Sequence, residues 1–234
     1  GYALACIRSG KPVLCEKPLA STADDAWAVV EAEAATGRRL LQVGFMREFD
    51  PAHVAVRFAV TSGRIGNPVM FRGTHLNPAP GDLDSVERCI TQSMIHDFHS
   101  ARFLTGREIV EVYARWVPLL AGDPTSVRVA TVTCAFDDGA VGLIDVNAAA
   151  EFGYEVSAEV TGVLGTASTV SPSRAAVRLA GQCETDVTMS WQIRFAHAYE
   201  LELDAWLASL VTGVPVGPGT WDGYAANAVA EAAC

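Results

Sequence analysis

The chain has 234 residues, half of them hydrophobic, and a formal net charge of -10 with only 17 lysines and arginines. This balance argues against a nucleic-acid partner, because phosphate contacts require a basic face. No apolar run approaches the roughly 18 residues that suggest a membrane span. The six cysteines are scattered without a Cys-x-x-Cys pair, which argues against a zinc site or a disulfide framework and favours a cytoplasmic location.

Both ends of the chain lie inside helical patterns. Gly1 enters one at once, and Cys234 ends another that begins near Ala225. A natural chain rarely begins and ends in mid-helix. We therefore expect the sequence to be a fragment that is cut at both ends.

The chain up to Phe45 alternates between helical and strand patterns with short connections. Apolar runs between polar flanks suit buried parallel strands, and glycines close the helical runs. This rhythm is typical of a doubly wound parallel sheet. The predicted elements are a helix at 2–9, a strand at 12–15, a helix that begins at 21–25 and ends at Gly37, and a strand at 40–45.

After Phe45 the strands follow one another without intervening helices. Asp137-Asp138-Gly139 is a hairpin turn signal between two of them. This order predicts an α+β region with a mostly antiparallel sheet and helices on one face. The predicted elements are a helix from Asp50-Pro51 to about 62, a strand at 69–77, a helix around 93–104, strands at 108–119, 126–136, 140–150, 154–162 and 174–180, and helices at about 194–211 and 221–233.

The motif Glu16-Lys17-Pro18 directly follows the first predicted strand. Ligands of open α/β sheets bind outside the carboxyl ends of the strands, so a lysine here can reach a substrate. Pro18 restricts the residue before it and suits a cis or otherwise constrained turn. Desolvation can lower the pKa of a lysine, and Lys17 could then take a hydroxyl proton while hydride leaves carbon. The alternative is a solvated lysine in an ordinary loop.

With its flanks the motif reads Val-Leu-Cys-Glu-Lys-Pro-Leu-Ala and resembles the glucose–fructose oxidoreductase, inositol dehydrogenase and MocA (Gfo/Idh/MocA) family. The resemblance covers the whole chain and implies an α/β fold class. Residues 1–46 would be the C-terminal remnant of a truncated Rossmann dinucleotide-binding domain. Residues 47–234 would form an α+β domain for substrate binding and oligomerisation, with a large, mostly antiparallel sheet.

The resemblance implies NAD as the cofactor, with Glu16, Lys17 and Pro18 beside it. The sequence contains no Gly-x-Gly-x-x-Gly loop, so the choice between NAD and NADP stays open. No His-Glu-x-x-His or comparable metal cluster is present, which predicts metal-free hydride chemistry.

Two further segments resemble the inositol 2-dehydrogenase branch of this family. Residues 44–51 read Gly-Phe-Met-Arg-Glu-Phe-Asp-Pro, where the branch has a second Arg in place of Glu48. Arg47 is then expected to donate to substrate hydroxyls, and an arginine in an ion pair is the alternative. His75 and Asn77 match a His-Arg-Asn-Pro segment and are expected to line the substrate pocket. A turn asparagine before proline is the alternative for Asn77.

A third segment matches the family's Asp-x-x-x-His at the start of a helix. His96 takes the place of the histidine that relays the substrate proton with the lysine, while Gln92 stands where the family has Asp. A spacing of four puts both side chains on one helical face, so Gln92 is expected to orient His96 without charging it. His99 replaces another Asp of the branch. An isolated His96 would more simply be a core histidine.

Two tyrosines complete the predicted site. Tyr154 and Tyr199 lie in segments that resemble the branch and are expected to cover the substrate and donate hydroxyl hydrogen bonds. Their alternative role is packing, because buried tyrosines commonly have an apolar body and a satisfied tip.

The resemblance implies an NAD-dependent oxidoreductase that moves hydride between a secondary alcohol of a cyclic polyol, similar to myo- or scyllo-inositol, and NAD. Lys17 would be the base, His96 its relay partner and Gln92 the residue that orients His96. A homo-oligomer, either a tetramer or a dimer, is expected. Two alternatives remain: a dehydrogenase of another sugar or an amino- or keto-sugar, favoured by Gln92 and His99, and a non-catalytic dinucleotide-binding sensor or repressor.

Overall fold

The computed structural model of the protein describes residues 1–79, 81, 85–169, 176–179, 182–185, 187–213 and 215–234. After a short helix, the chain forms a βαβ unit in which two parallel strands pair from Val13 with Leu41 to Glu16 with Gly44. The hydroxyl of Thr22 caps the second helix by accepting from the backbone of Asp25 at 3.1 Å. The helix–strand–helix–strand prediction is confirmed, with elements α1 (Tyr2–Arg8), β1 (Val13–Glu16), α2 (Ala23–Ala34) and β2 (Leu41–Gly44).

The rest of the described chain forms an α+β unit around one large sheet. The predicted helices and strands occur in the predicted order, with additional elements between them, and Gly139 adopts a positive φ of 88° in the predicted hairpin turn. The elements are α3 (Pro51–Thr61), β3 (Pro68–Leu76), α4 (Val86–Arg88), a π-helix (Cys89–Met94), α5 (Ile95–Thr105), β4 (Ile109–Val117), β5 (Val129–Phe136), β6 (Val141–Asn147), β7 (Glu155–Gly162), β8 (Thr166–Ser168), β9 (Ala176–Leu179), β10 (Gln182–Thr185), α6 (Trp191–Thr212) and α7 (Thr220–Ala233).

The large sheet has six strands in the order β4-β5-β6-β3-β7-β8, and all neighbours are antiparallel except β3 and β6. Strand β7 alternates regularly between buried and half-buried positions, which shows that one face of the sheet is covered. The helix α5 is buried along almost its whole length against this face. The predicted mostly antiparallel sheet is therefore confirmed.

Three details differ from the predictions. The helix expected around 93–104 begins only at Ile95, because the preceding residues form a π-helix with one extra residue per turn. The short helix α4 and strands β8 and β10 were not predicted. Of the strand expected at 174–180, Ala176–Leu179 forms β9, and residues 174, 175 and 180 lie outside the described residues.

The core of the first unit is completed by later parts of the chain. Leu41, Val43 and Phe45 pack with Ile95 of α5 and with Ala226 of α7. Helix α7 is tied to the first unit by polar contacts as well, because Asn227 Nδ2 donates to the carbonyl oxygen of Ala20 at 2.7 Å. The predicted domain boundary between residues 46 and 47 divides the sequence. The hydrophobic cores of the two units are not separate, because α5 and α7 contribute residues to both.

In the part of the chain that the structure describes, no helix combines the length and the apolar character of a membrane span.

Candidate active site

Lys17 leaves the carboxyl end of β1, and its peptide bond to Pro18 is cis. Its Nζ donates to the backbone carbonyl oxygen of Gln92 at 2.6 Å, so the amine is held against the π-helix. Burial lowers the pKa of Lys17, and the positive charge of Arg47 adds to this, although Glu16 opposes both. A larger fraction of neutral amine is therefore available near neutral pH than for an exposed lysine.

Lys17 opens onto a cavity of about 800 Å³ between the first unit and the α+β unit. Helix α6 closes one side of it, and the end of β3 and the π-helix form the others. This volume is in the range of small-molecule sites. Eight of the predicted site residues line the cavity: Glu16, Lys17, His75, Asn77, Gln92, His96, Tyr154 and Tyr199.

Arg47 lies behind the cavity wall, not on it. It is 2 % exposed, and its Nη1 contacts Asp97 Oδ1 at 2.5 Å. Its Nη2 lies 3.3 Å from His75 Nδ1. The structure therefore places Arg47 in a buried ion pair, where it can support a cavity-lining histidine but does not reach the space that a substrate would occupy.

Asp97 joins Arg47 to His75. Its second oxygen lies 3.0 Å from His75 Nδ1, and the hydroxyl of Ser93 lies 3.3 Å from the same nitrogen. Burial alone would raise the pKa of Asp97, but Arg47 and His75 lower it to about 2. Asp97 is thus a fully ionised, buried carboxylate that fixes the ring of His75.

His96 lines the same cavity without such a partner. Its Nδ1 is buried and has no hydrogen-bond partner among the described residues. Burial, followed by the positive charges of Lys17 and Arg47, lowers its pKa well below 6.5. The imidazole is therefore neutral at physiological pH and can only make neutral contacts with a ligand.

The structure does not bring the side chain of Gln92 to His96 as predicted. No hydrogen bond joins the two among the described residues, and Gln92 contributes its backbone carbonyl to Lys17 instead. The physical reason is the π-helix Cys89–Met94, because its wider turn removes the four-residue periodicity on which the prediction depended.

Asn77 is fixed at the end of β3. Its backbone N–H donates to Asn147 at 2.8 Å, and its carbonyl accepts from Ala150 at 2.7 Å. Its side-chain Nδ2 reaches Ser93 Oγ at 3.5 Å and otherwise faces the cavity. An amide in this position can both donate to and accept from hydroxyl groups.

Both predicted tyrosines lie on the cavity. Tyr154 is 5 % exposed and packs edge-on against His75, with ring centroids 5.7 Å apart. Tyr199 packs against Trp191 at 5.9 Å. Burial raises the pKa of both to about 12, so both keep their hydroxyl protons and can donate them to a ligand.

Pro18 does not line this cavity. It borders a neighbouring cavity of about 690 Å³ that reaches Thr22 at the start of α2, the π-helix and α7. Pro18 and Glu16, on either side of Lys17 in the sequence, therefore line different cavities.

Two residues that sequence reasoning missed take part in the site. Asp97 holds His75 and Arg47, and Ser93 links His75 with Asn77. Asp97 directly follows His96 in the sequence and lies between the apolar Ile95 and Phe98, and a charged residue so close to apolar positions of a helix is the signal that could have identified it.

Glu48 and His99, the two departures from the branch, lie beside each other. His99 Nε2 is 2.9 Å from Glu48 Oε1, in a close contact without the alignment of a hydrogen bond. The ring of His99 stacks on Phe45 with centroids 4.0 Å apart. The resemblance implies Arg and Asp at these two positions, and this chain has Glu and His there, so a basic and an acidic partner have exchanged places relative to that expectation.

A parallel βα unit and a large mixed sheet, with a desolvated lysine and two histidines on the cavity between them, define a two-part α/β oxidoreductase. The chain belongs to the GFO/IDH/MocA family. The family model of the oxidoreductase family with an NAD-binding Rossmann fold matches residues 1–45. The model of the GFO/IDH/MocA C-terminal domain matches residues 53–168.

Similar proteins extend over nearly all of the chain. It is 43 % identical over 233 residues to inositol 2-dehydrogenase of Rubrobacter xylanophilus, covering 98 % of this chain and 67 % of that protein. Inositol 2-dehydrogenase 1 of Saccharopolyspora erythraea is 40 % identical, and the match covers 98 % of this chain and 68 % of that protein. The crystal structure of myo-inositol dehydrogenase from Lactobacillus casei in complex with NAD(H) and myo-inositol has a TM-score of 0.92 at 31 % identity. The match covers 99 % of this chain and 69 % of that one.

Proposed function

We propose that the protein is an NAD-dependent dehydrogenase that oxidises a secondary alcohol of a cyclic polyol of the inositol type. The observation that carries the proposal is the desolvated Lys17 amine on a cavity whose remaining polar groups suit a ligand with many hydroxyls. Relatives at 40 % identity or more are inositol 2-dehydrogenases, and a neighbour of nearly the same fold was crystallised with NAD(H) and myo-inositol.

The residues at the carboxyl end of β1 fit the cofactor that the family implies. The absence of a side chain at Gly44 leaves room for Glu16, whose Oε2 would be 2.8 Å from a Cβ built there. The carboxylate of Glu16 can accept from hydroxyl groups, and Lys17 and Pro18 border the spaces on either side. We propose that Glu16, Lys17 and Pro18 contact NAD. NAD held there would supply the acceptor for the hydride of the alcohol carbon.

The remaining chemistry belongs to the protein's own side chains. Neutral Lys17 Nζ takes the proton of the alcohol hydroxyl, while the carbonyl of Gln92 holds the amine in place. Tyr154 and Tyr199 donate to substrate oxygens, because their raised pKa values keep them protonated. Asn77 can donate or accept at a further hydroxyl.

Replacing Lys17 by alanine tests this assignment. We expect kcat for NADH formation from the polyol to fall by roughly 10²-fold or more, the usual contribution of a general base. Because burial lowers the pKa of Lys17 from 10.5 and the neutral amine is the active form, wild-type kcat/KM should rise with pH and level off below 10.5. The exposed Lys11 provides the matched control, Lys11→Ala, with unchanged rates. Unchanged NADH formation in Lys17→Ala would contradict the assignment.

A dehydrogenase of another sugar is a second candidate, favoured by the exchanged pair Glu48 and His99 and by Gln92 in place of Asp. A panel of myo-inositol, scyllo-inositol and aldose and amino-sugar substrates, followed by NADH absorbance, separates the two. Turnover of a sugar without turnover of either inositol would reject our first choice.

We also propose that the protein forms a homo-oligomer, a dimer or a tetramer, in the cytoplasm. The sheet face opposite α5 exposes large apolar side chains, with Tyr113 and Val117 each 57 % exposed and Val141 48 % exposed. Such a face is suited to an interface between copies. A monomeric mass in sedimentation analysis would contradict the oligomer, and recovery from the membrane fraction or the periplasm would contradict the location.

A further inference from the structure

Helix α6 forms one wall of the candidate active-site cavity, and its first turn has no side-chain cap of its own. Trp191, Gln192 and Tyr199 of this helix line the cavity. Ser190 stands at the N-cap, but its side chain makes no capping hydrogen bond among the described residues, and the first turn carries no acidic residue. The position of this wall therefore depends on contacts with other parts of the chain.

Arg194, near the start of α6, forms a buried ion pair with Asp50. Its Nη1 donates to Asp50 Oδ1 at 2.8 Å and its Nη2 donates to Oδ2 at 3.2 Å, so the pair joins positions 144 residues apart. The two side chains are only 7 % and 6 % exposed. The helix dipole disfavours a cation near a helix N-terminus, and the bidentate bond with Asp50 accounts for an arginine in this place.

Asp50 is itself fixed at the start of α3. Its Oδ2 accepts from the backbone N–H of His53 at 3.3 Å, which caps the helix, and His53 Nδ1 lies 2.6 Å from the same oxygen. Burial alone would raise the pKa of Asp50, but the hydrogen bonds from His53 and Arg194 hold it well below its usual range. Asp50 is thus an ionised, immobilised carboxylate to which the start of α6 is attached.

The ion pair is connected with the cavity through Phe195. The guanidinium of Arg194 lies over the Phe195 ring, 4.4 Å from its centroid, and that of Arg47 lies over the same ring at 5.8 Å. Phe195 is fully buried and packs edge-on against the cavity-lining Tyr154, with ring centroids 6.4 Å apart. Arg194 therefore contacts both the anchor of α6 and the aromatic packing beneath the cavity.

We propose that the Asp50–Arg194 ion pair positions the α6 wall of the cavity and so places Tyr199 to bind the polyol. The inference rests on the proposed dehydrogenase function. Neither member of the pair is among the described residues that line the cavity, so both are positioning residues that act through α6. Lys17 lies on the first unit and is held by the carbonyl of Gln92. The pair should therefore determine how tightly the polyol binds more than how fast it is oxidised.

Two variants of the pair test this role. Arg194→Met keeps an unbranched side chain but removes the guanidinium, which leaves the Asp50 carboxylate buried without this partner. The double variant Asp50→Asn, Arg194→Met removes both charges, and asparagine still caps α3. We expect both variants to raise KM for the polyol by roughly 10-fold, the effect of losing about one hydrogen bond to the ligand, while kcat changes by less than about 3-fold. KM for NAD should stay unchanged, because the residues proposed to contact NAD lie on the first unit.

Arg102 provides the matched control. It is a buried arginine, 6 % exposed, that pairs with Glu108 at 2.7 Å and with Asp222 at 3.1 Å, and it is not among the described residues that line the cavity. Arg102→Met should lower the thermal midpoint as Arg194→Met does, but leave KM for the polyol unchanged. An equal rise of this KM in Arg102→Met, or a wild-type KM in the folded double variant, would overturn the proposal.

Hydrogen exchange tests the anchoring of α6 without turnover. The backbone amides of residues 195–199 should exchange faster in both variants of the pair than in the wild type, and at the wild-type rate in Arg102→Met. Unchanged exchange in the variants of the pair would overturn the proposal while leaving the dehydrogenase function intact. A wild-type protein that oxidises neither polyols nor sugars would overturn the proposed function itself, and with it the role of the pair in polyol binding.

Discussion

Glu202 is a buried carboxyl group that the proposed chemistry does not use. It lies on α6, is 2 % exposed, and its Oε1 has no hydrogen-bond partner among the described residues. Burial raises its pKa to about 8, and the negative charges of Glu16 and Glu48 act in the same direction. Glu202 is therefore protonated in the folded protein at neutral pH.

This raised pKa makes stability depend on pH. Between 4.5 and about 8 the folded state holds a proton that the unfolded chain releases, so the free energy of unfolding falls as pH rises. The substitution Glu202→Gln keeps the shape of the side chain but removes its ability to ionise. We expect its thermal midpoint to exceed that of the wild type by about 5 °C at pH 8.5 and to equal it at pH 4.5. The exposed neighbour Glu200→Gln is the control, and a difference of the same size there would contradict the explanation.

At the residue scale, sequence reasoning could place residues that follow a strand end. Lys17 and Asn77 each stand at such a boundary, and strand ends are set by local apolar patterning. It could not place Arg47 or Asp97 correctly. Both are charged residues buried by long-range packing, and their pairing joins positions 50 residues apart that no local pattern connects.

Close packing at the end of β7 gives a prediction at the scale of elements. A Cβ built on Gly162 would clash with the backbone carbonyl oxygen of Ile65, an atom that can move only with the chain. We expect Gly162→Ala to lower the free energy of unfolding by roughly 3 kcal/mol.

Gly165 in the turn after β7 provides the matched control. A Cβ there would meet only the side chain of Ile65, at 3.8 Å, which is ordinary contact. Gly165→Ala should therefore change the free energy of unfolding by less than about 0.5 kcal/mol, with both variants compared with the wild type by urea titration. Equal losses in the two variants would show that the close approach at Gly162 is not the cause.

Most elements could be predicted because their ends carry local signals. Asp50 and Thr22 cap helices, and Gly106 and Gly213 end them in the left-handed region. The π-helix could not be predicted, because it has no compositional signature of its own. Its position follows from packing, since Cys89, Ile90 and Met94 are fully buried in the core under the sheet.

At the scale of the whole molecule, α7 joins the two units. Gly223 packs where a Cβ would lie 2.8 Å from Leu19 Cδ2 and 3.0 Å from Val43 Cγ2. Alanine favours a helix over glycine by roughly 1 kcal/mol, but overpacking typically costs 1–3 kcal/mol. We expect the second effect to prevail, so that Gly223→Ala lowers the urea midpoint. The exposed Ala232→Ser on the same helix should leave it unchanged, and a stabilised Gly223→Ala would contradict this account.

The architecture was predictable in outline because strand and helix order limits the possible topologies. The parallel pairing of β3 with β6 inside an antiparallel sheet could not be predicted, since the two strands are separated by other elements. The packing of α7 against the first unit could not be predicted either, because an alanine-rich amphipathic pattern does not specify which surface the helix covers.

The position of α7 also bears on the order in which the molecule can be completed. Its contacts with the first unit, such as Ala23 N with Glu231 Oε2, span 208 residues of chain. A ribosome adding 5–20 residues per second would need roughly 10–40 s to make that stretch. During this interval the nascent first unit lacks the cover that α5 and α7 later give to its apolar surface, as the described residues show. The two strands of that unit are thus made early but become stable late, and a chaperone that holds them meanwhile would raise the yield of folded protein.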